Sequence, residues 1–276
     1  MEFIDSHTHL YQPAFDGDRA AAMERCAQAG VRRLLLPNID RASMERVHGM
    51  MDAWPDRCWG MVGLHPCHVK ADWEEELAGL REVLAGAEAA GRRYVAVGEI
   101  GFDLYWEQET LPLQRLAFRE QVAWAKAWDL PVVIHVRDAF EALFEEMDRV
   151  CDDRLRGVVH CFTGNVDQTR KILSYGDWSL GIGGVVTYKN GGLDVVLPEV
   201  PHDRVLLETD SPYLAPVPFR GKRNESSYVP YVAGRLAEIW GVTVEEVAEV
   251  TTRNTERLFR LTAIPQSPRN PESSHG

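Results

Sequence analysis

The chain of 276 residues is 45% hydrophobic, so it can bury a large core, and its net charge of -12 argues against a broad basic surface for nucleic acid or membranes. Five cysteines without a CxxC pair fit a reducing compartment better than a disulfide framework. Because the sequence shows neither a basic and apolar leader nor an apolar run long enough to span a membrane, we expect a cytoplasmic protein.

Short apolar runs rich in β-branched residues recur along the chain, and each predicts a β-strand. The predicted strands are 2–5, 31–36, 58–63, 94–98, 132–134, 157–159, 178–182 and 204–207. Helical periodicity fills most of the intervals, including 18–29 before Gly30 and 227–240 before Gly241. The clearest apolar stripe begins at Trp73, where Asp72 and Glu75 predict a capping box, and Gly91 predicts the helix end.

Eight strands that alternate with helices at intervals of roughly 30 residues match a (β/α)8 TIM-like barrel. We therefore expect a single α/β domain over residues 1–262. A doubly wound sheet is the alternative, because alternation by itself does not distinguish the two folds. The Pro- and Ser-rich tail at 263–276 has no periodicity, and we expect it to be disordered.

The N-terminal segment FIDSHTHL places two histidines directly after the first strand. Alternation along an extended chain predicts that Asp5, His7 and His9 share one face. Three polar groups on one face require a partner, and a metal ion is one candidate. A hydrogen-bonded histidine pair is the alternative.

Polar residues with metal-binding side chains follow most of the other strands as well. A single buried histidine is usually hydrogen-bonded, but several histidines and carboxylates that meet at one face of a barrel indicate a metal site. The imidazole-rich set suits Zn, Mn or Fe better than Ca or Mg. It exceeds the needs of one tetrahedral ion, so we expect two ions with Glu99 between them. The strand-end residues are His7, His9, His65, Glu99, His135, His160, Glu208 and Asp210.

Five segments together resemble the TatD family of metal-dependent hydrolases within the amidohydrolase superfamily: FIDSHTHL, GEIGFD, PVVIHVRD, HCFTG and LLETDSPYLAPVPFRGKRNESSYV. The resemblance extends to NTERLF, almost the whole chain, and implies a TIM-like barrel with two divalent ions, with Zn, Mn, Fe and Mg as candidates. It implies that one ion is held by His7, His9, Glu99 and Asp210, and the other by Glu99, His135 and His160. Family members are similar to deoxyribonucleases, often acting on DNA ends.

The resemblance suggests phosphodiester hydrolysis by a hydroxide activated between two ions, with Asp210 as general base and Glu99 as the second catalytic carboxylate. Glu208 is predicted to orient Asp210 or a ligand histidine. Its alternative role is a buried carboxylate paired with a nearby arginine.

Three residues outside the ligand set are predicted to contact substrate. His65 follows the third strand, and Arg220 and Lys222 belong to the basic segment FRGKRN after the last strand. The two cations are predicted to hold a phosphate or a nucleic-acid end, although short basic loops are usually only solvated.

The acidity of the chain limits the substrates that it can bind. A strongly negative protein makes few phosphate contacts, so we expect it to act on DNA ends or short oligonucleotides, without membrane association or a stable protein partner. One alternative is a small-molecule amidohydrolase acting on a lactone, amide or phosphoester. Many such sites use a carboxylated lysine where this chain has Glu99. A non-catalytic metal-dependent binding protein is the second alternative.

Overall fold

The structure is a computed structural model that describes residues 1–261, in which strands and helices alternate. The strands are β1 (Phe3–Asp5), β2 (Val31–Leu36), β3 (Cys58–Val62), β4 (Tyr94–Asp103), β5 (Val132–Arg137), β6 (Gly157–Val159), β7 (Trp178–Ile182) and β8 (Val205–Leu207). The α-helices of this part of the chain are α1 (Arg19–Gln28), α2 (Met44–Ala53), α3 (Trp73–Ala85), α4 (Leu111–Ala127), α5 (Phe140–Val150), α6 (Val166–Ser174), α7 (Leu193–Val196), α8 (Val229–Trp240) and α9 (Val244–Phe259). Among these helices, none combines the length and the apolar character needed to cross a bilayer.

The eight strands pair in parallel in their sequence order, from β1 to β8. This order excludes the doubly wound alternative, in which the strand order reverses within the sheet. The predicted (β/α)8 TIM-like barrel is therefore confirmed. The tail predicted at 263–276 lies outside the described residues.

The barrel closes between the segments that follow β8 and β1. Ser6 N donates to Leu207 O at 3.0 Å, and Asp210 N donates to His7 O at 2.9 Å. Thr8 then forms an isolated parallel bridge with Ser211. Closure therefore brings the N-terminal histidine pair beside the acidic segment that follows the last strand.

The barrel interior has an apolar floor beneath a polar layer. His135, His160 and Glu208 each lie two residues after a floor residue, in β5, β6 and β8 respectively. Period-two alternation turns these three side chains to the same interior, at the carboxyl ends of the strands. The buried floor cluster comprises Ile4, Leu35, Met61, Val95, Ala96, Val133, Val158 and Leu206, together with Leu258, Phe259 and Leu261 at the end of the described chain.

The third helix differs from its prediction at both ends. Asp72 is its N-cap residue but makes no side-chain capping hydrogen bond, so the predicted capping box is wrong. The helix ends at Ala85, because Gly86 is already its C-cap and turns lead from there to Gly91.

Helices α4 and α5 are joined by a buried carboxylate. Glu146 of α5 accepts hydrogen bonds from Arg119 at 2.5 and 2.8 Å and from Arg115 at 2.7 Å. The hydrogen bonds from Arg119, helped by Arg115 and opposed by burial, lower the pKa of Glu146. The neighbouring Glu145 is half-exposed and binds Arg115 alone.

Candidate metal centre

Glu99 is delivered to the barrel interior by an irregularity in β4. The register with β5 pairs Gly98 with Val133 and Ile100 with Ile134, so Glu99 is an additional residue on its strand. Such a β-bulge bends the strand and redirects one side chain, and bulges occur often beside active sites. Beyond the bulge, pairing with β5 continues from Ile100 to Asp103, so β4 extends past its predicted end at Gly98.

The two oxygens of the Glu99 carboxylate face two different groups of imidazoles. Oε2 lies 3.2 Å from His7 Nε2 and 3.6 Å from His9 Nε2. Oε1 lies 2.7 Å from His160 Nε2 and 3.0 Å from His135 Nδ1. A carboxylate in this position can bridge two cations, each with its own set of imidazoles.

Asp210 completes the first group from the opposite side of the barrel seam. Its Oδ1 lies 3.4 Å from His9 Nε2 and 3.8 Å from His7 Nε2. The backbone of Asp210 has a φ of 55°, the left-handed region that is rare for a residue other than glycine. Such strain is typical of functional sites, and here it directs a carboxylate that retains some solvent access toward the cluster.

The donor atoms of this cluster fit divalent cations. His7 and His160 are fully buried, yet none of their ring nitrogens has an aligned hydrogen-bond partner among the described residues. Buried polar atoms are nearly always satisfied, so these nitrogens suit a ligand that is not part of the chain. Ligand atoms within 4.8 Å of one another occur in three groups: His7, His9 and Glu99; His7, His160 and Asp210; and His65, Glu99 and His135.

The electrostatics of the cluster favour positive charge. Burial raises the pKa of Glu99, but His160 and the other histidines outweigh it and hold this pKa well below its ordinary value. Burial likewise opposes protonation of His160, yet Glu99 and Glu208 raise the pKa of its imidazole well above the usual range. Burial lowers the pKa of His7, which keeps that ring neutral and able to bind a metal.

One carboxylate hydrogen-bonds a proposed ligand histidine, and a second lies beside another. Asp103 Oδ2 lies 2.9 Å from His135 Nε2, the ring nitrogen that faces away from Glu99. Glu208 Oε1 lies 3.5 Å from His160 Nδ1 and accepts the Cys161 N–H at 2.5 Å. Carboxylate–histidine–metal arrangements of this kind set the tautomer and orientation of a ligand.

Space for Glu208 depends on a glycine of β7. A Cβ atom on Gly181 would lie 2.2 Å from Glu208 Oε2, so only glycine allows this approach. Glu208 has no arginine partner among the described ion pairs; its neighbour is His160. Asp103 was not among the predicted site residues, because its spacing from His135 along the chain gives no sign of their pairing.

His65 differs from the ligand histidines in its hydrogen bonding. Its Nδ1 accepts the Cys67 N–H at 3.1 Å, so the neutral ring carries its proton on Nε2. That nitrogen lies 3.3 Å from Glu99 Oε1. Burial lowers the pKa of His65 to about 4, so the ring is neutral and presents an N–H donor to the centre.

Arg220 and Lys222 lie on the surface loop after β8. The Arg220 guanidinium packs 4.4 Å from the ring centre of Tyr188, and Lys222 is exposed. In the described part of the chain, neither forms an ion pair or hydrogen bond with the cluster. Arg223, by contrast, is bound to Asp18 at 2.7 Å and serves the fold.

Asp5 does not join the two histidines, so the prediction that the three share one face is wrong. Strand β1 ends at Asp5, and the extended alternation does not continue to His7. The Asp5 carboxylate instead accepts hydrogen bonds from Thr209 N at 3.0 Å and Thr209 Oγ1 at 2.6 Å. It strengthens the barrel seam.

A parallel (β/α)8 barrel with imidazoles and carboxylates gathered at its carboxyl-terminal mouth defines a metal-dependent hydrolase. Comparison with known proteins agrees. The model of the family described as "TatD related DNase" matches residues 4–260. The chain belongs to this family, and the recognition from five sequence segments is confirmed.

Several relatives match nearly the full length of the chain. It is 38% identical to the uncharacterized metal-dependent hydrolase YabD of Bacillus subtilis, over 94% of this chain and 99% of that protein. It is 36% identical to the 3'-5' ssDNA/RNA exonuclease TatD of a Rahnella species, over 92% and 97%. The crystal structure of the TatD homologue YjjV from Escherichia coli superimposes with a TM-score of 0.86 at 32% identity, covering 94% and 98%.

Proposed function

We propose that the protein is a deoxyribonuclease that removes nucleotides from the ends of single-stranded DNA, using two divalent ions. The observation that carries the proposal is the Glu99 carboxylate, whose two oxygens face separate groups of imidazoles. The assigned ligands are His7, His9, Glu99 and Asp210 for one ion, and Glu99, His135 and His160 for the other. A relative named as an exonuclease for single-stranded DNA and RNA, 36% identical, supports the choice of substrate.

Divalent ions held by these residues supply Lewis-acid neutralisation of phosphate charge and make water more acidic. Asp210 is partly open to solvent and lies beside both N-terminal histidines, so it is placed to accept the proton of the attacking water. The water oxygen bonds to phosphorus as the bond to the leaving sugar oxygen breaks, and the leaving oxygen takes a proton from solvent water to become a hydroxyl. The neutral His65, whose protonated Nε2 lies 3.3 Å from Glu99 Oε1, is assigned to donate to a phosphate oxygen of bound substrate.

Four further side chains support this chemistry. Asp103 and Glu208 orient His135 and His160, respectively. Arg220 and Lys222 are assigned to the phosphates of the chain that leads away from the centre, because the loop after the last strand borders the barrel mouth.

The test is nuclease assay of protein reconstituted with Mn²⁺, Mg²⁺ or Zn²⁺ on a labelled single-stranded oligonucleotide. We expect progressive shortening from one end of a linear strand and no cleavage of a closed circular strand. Glu99→Gln should reduce hydrolysis by at least about 10³-fold with an unchanged circular dichroism spectrum, since it weakens both ion sites. Glu145→Gln makes the same change on the surface of α5 and should cleave normally.

Other outcomes would replace the proposal. Equal cleavage of closed and linear strands would remove the exonuclease assignment. Hydrolysis of lactones or amides without any cleavage of the oligonucleotide would identify a small-molecule amidohydrolase.

A further inference from the structure

Two large aromatic side chains lie exposed on the loop that follows β4. Tyr105 is 50% exposed and Trp106 is 66% exposed, and their rings meet edge to face with centres 4.7 Å apart. The guanidinium of Arg137, at the end of β5, lies 3.8 Å from the centre of the Tyr105 ring and 5.6 Å from that of Trp106. We call these three residues the aromatic platform.

The platform is held rigidly by buried polar side chains. Asp103 Oδ1 accepts the backbone N–H groups of Tyr105 at 3.0 Å and Trp106 at 2.8 Å. The buried Gln114 amide donates to Asp103 O at 3.2 Å and to Glu107 O at 2.9 Å, so it ties the two ends of the turn together. A rigid exposed ring loses little conformational freedom when a ligand packs against it.

The same carboxylate connects the platform to the metal centre. Its other oxygen, Asp103 Oδ2, lies 2.9 Å from the imidazole of His135, one of the proposed ligands. The strand register pairs Asp103 with Arg137 and Gly101 with His135, so all these groups lie at one strand end. The platform is therefore part of the barrel mouth, beside the centre.

The composition of the platform indicates what it binds. Trp106 exposes most of a large ring that would ordinarily be buried. Arg137 has no carboxylate within ion-pair distance among the described residues, so its charge is available in a chain that is otherwise strongly acidic. An aromatic face for bases with an arginine for phosphate is the combination used to bind single strands.

We propose that Trp106 stacks an unpaired nucleobase of a single-stranded substrate, with the Tyr105 ring supporting Trp106 edge to face, while Arg137 contacts the phosphate backbone; this rests on the proposed function. In a duplex the faces of the bases are covered by stacking, so the platform selects single strands or frayed ends. It supplies a contact with substrate that the net charge of -12 does not oppose, because stacking on a base involves no phosphate.

The experiment compares Trp106→Ala and Trp106→Phe with Trp128→Ala in the metal-loaded enzyme. Trp128 is 37% exposed but lies at the carboxyl end of α4, remote from the barrel mouth, and serves as the control. Trp106→Ala should raise KM for a short single-stranded oligonucleotide by roughly 5- to 150-fold, the range for loss of one base–aromatic stack, with kcat little changed. Trp106→Phe should recover most of the loss, and Trp128→Ala should match the wild type.

Oligonucleotides that lack one base at successive positions locate the stacked nucleotide. At one position, removal of the base should raise KM of the wild type but have no further effect on Trp106→Ala, since the two changes remove the same contact. If wild type cleaves the oligonucleotide and Trp106→Ala retains its KM, the platform proposal is overturned while the nuclease proposal stands. If wild type cleaves nothing, the nuclease proposal fails. Fluorescence anisotropy with the labelled strand then tests the platform: if wild type and Trp106→Ala bind the strand equally well, or if neither binds it, the platform proposal is overturned as well.

Discussion

Replacement of Asp103 by asparagine tests how far the metal centre depends on a residue that binds no metal. The side chains are nearly isosteric, and an asparagine oxygen can still accept the two backbone N–H groups that Asp103 Oδ1 accepts. The amide nitrogen then faces His135 Nε2 and must donate to it. His135 would therefore carry its proton on Nδ1, the nitrogen directed at Glu99, and could not bind a cation there.

The expected magnitude follows from the charge-assisted hydrogen bond that the amide cannot make. The 2.9 Å contact between His135 Nε2 and the Asp103 carboxylate is a charge-assisted hydrogen bond, worth about 1.5–3 kcal/mol. Since each 1.4 kcal/mol is a factor of ten, Mn²⁺ affinity should fall by roughly 10- to 150-fold. The free energy of unfolding of the metal-free protein should change by less than about 1 kcal/mol, because the amide oxygen retains the acceptor for the turn and the amide N–H replaces the hydrogen bond to His135.

The assay is competition for Mn²⁺ with a chelating indicator, together with urea unfolding of the metal-free proteins. Asp138→Asn is the matched control, because this exposed aspartate lies at the same strand end, next to Arg137, and its carboxylate forms no ion pair among the described residues. An Asp103→Asn protein that binds Mn²⁺ within twofold of wild type would refute the orienting role of the carboxylate.

Three further substitutions address stability and the environment of the centre. Glu146→Gln should lower the free energy of unfolding at pH 7 by about 1–3 kcal/mol, and Glu145→Gln by much less. Because folding lowers the pKa of Glu146, the stability that this carboxylate contributes is present above its ordinary pKa of 4.5 and is lost as the pH falls through the folded pKa. Urea unfolding should therefore show that the stability difference between wild type and Glu146→Gln shrinks in acid. Gly181→Ala should displace Glu208 and reduce both Mn²⁺ affinity and melting temperature. Mn²⁺ binding equal to that of wild type would contradict the close contact between Gly181 and the Glu208 carboxylate. Phe259→Ala should cost about 3–5 kcal/mol in urea unfolding while leaving Mn²⁺ affinity intact, since it opens the barrel floor and not the mouth.

The strand positions were predictable because buried parallel strands consist mainly of apolar and β-branched residues. The predicted segments 31–36, 157–159 and 178–182 coincide with β2, β6 and β7, each of which contains mostly apolar residues. The end of the helix before Gly241 was also predictable from the local sequence, since this glycine, with a φ of 68°, ends α8. The capping box at Asp72 failed because the matching residue types were present without the side-chain geometry.

The site was predictable as a set of residues but not as an arrangement. Side-chain chemistry identified His7, His9 and Glu99 as candidates, because imidazoles and carboxylates after apolar strands have few structural uses. Nothing in FIDSHTHL indicated that Asp5 would bind Thr209 across the seam, more than 200 positions away. The bulge that redirects Glu99 is likewise a property of the pairing between β4 and β5.

The amino-acid order was sufficient to define a metal-binding barrel of the TatD type, because strand periodicity and ligand chemistry are properties of short segments. Folding was needed to set Asp103 against His135, Glu208 against His160, and the exposed rings of Tyr105 and Trp106 beside them. These relations depend on strand register and on closure of the barrel, which join distant residues through backbone hydrogen bonds. The charge balance and geometry of the centre are therefore consequences of the closed sheet.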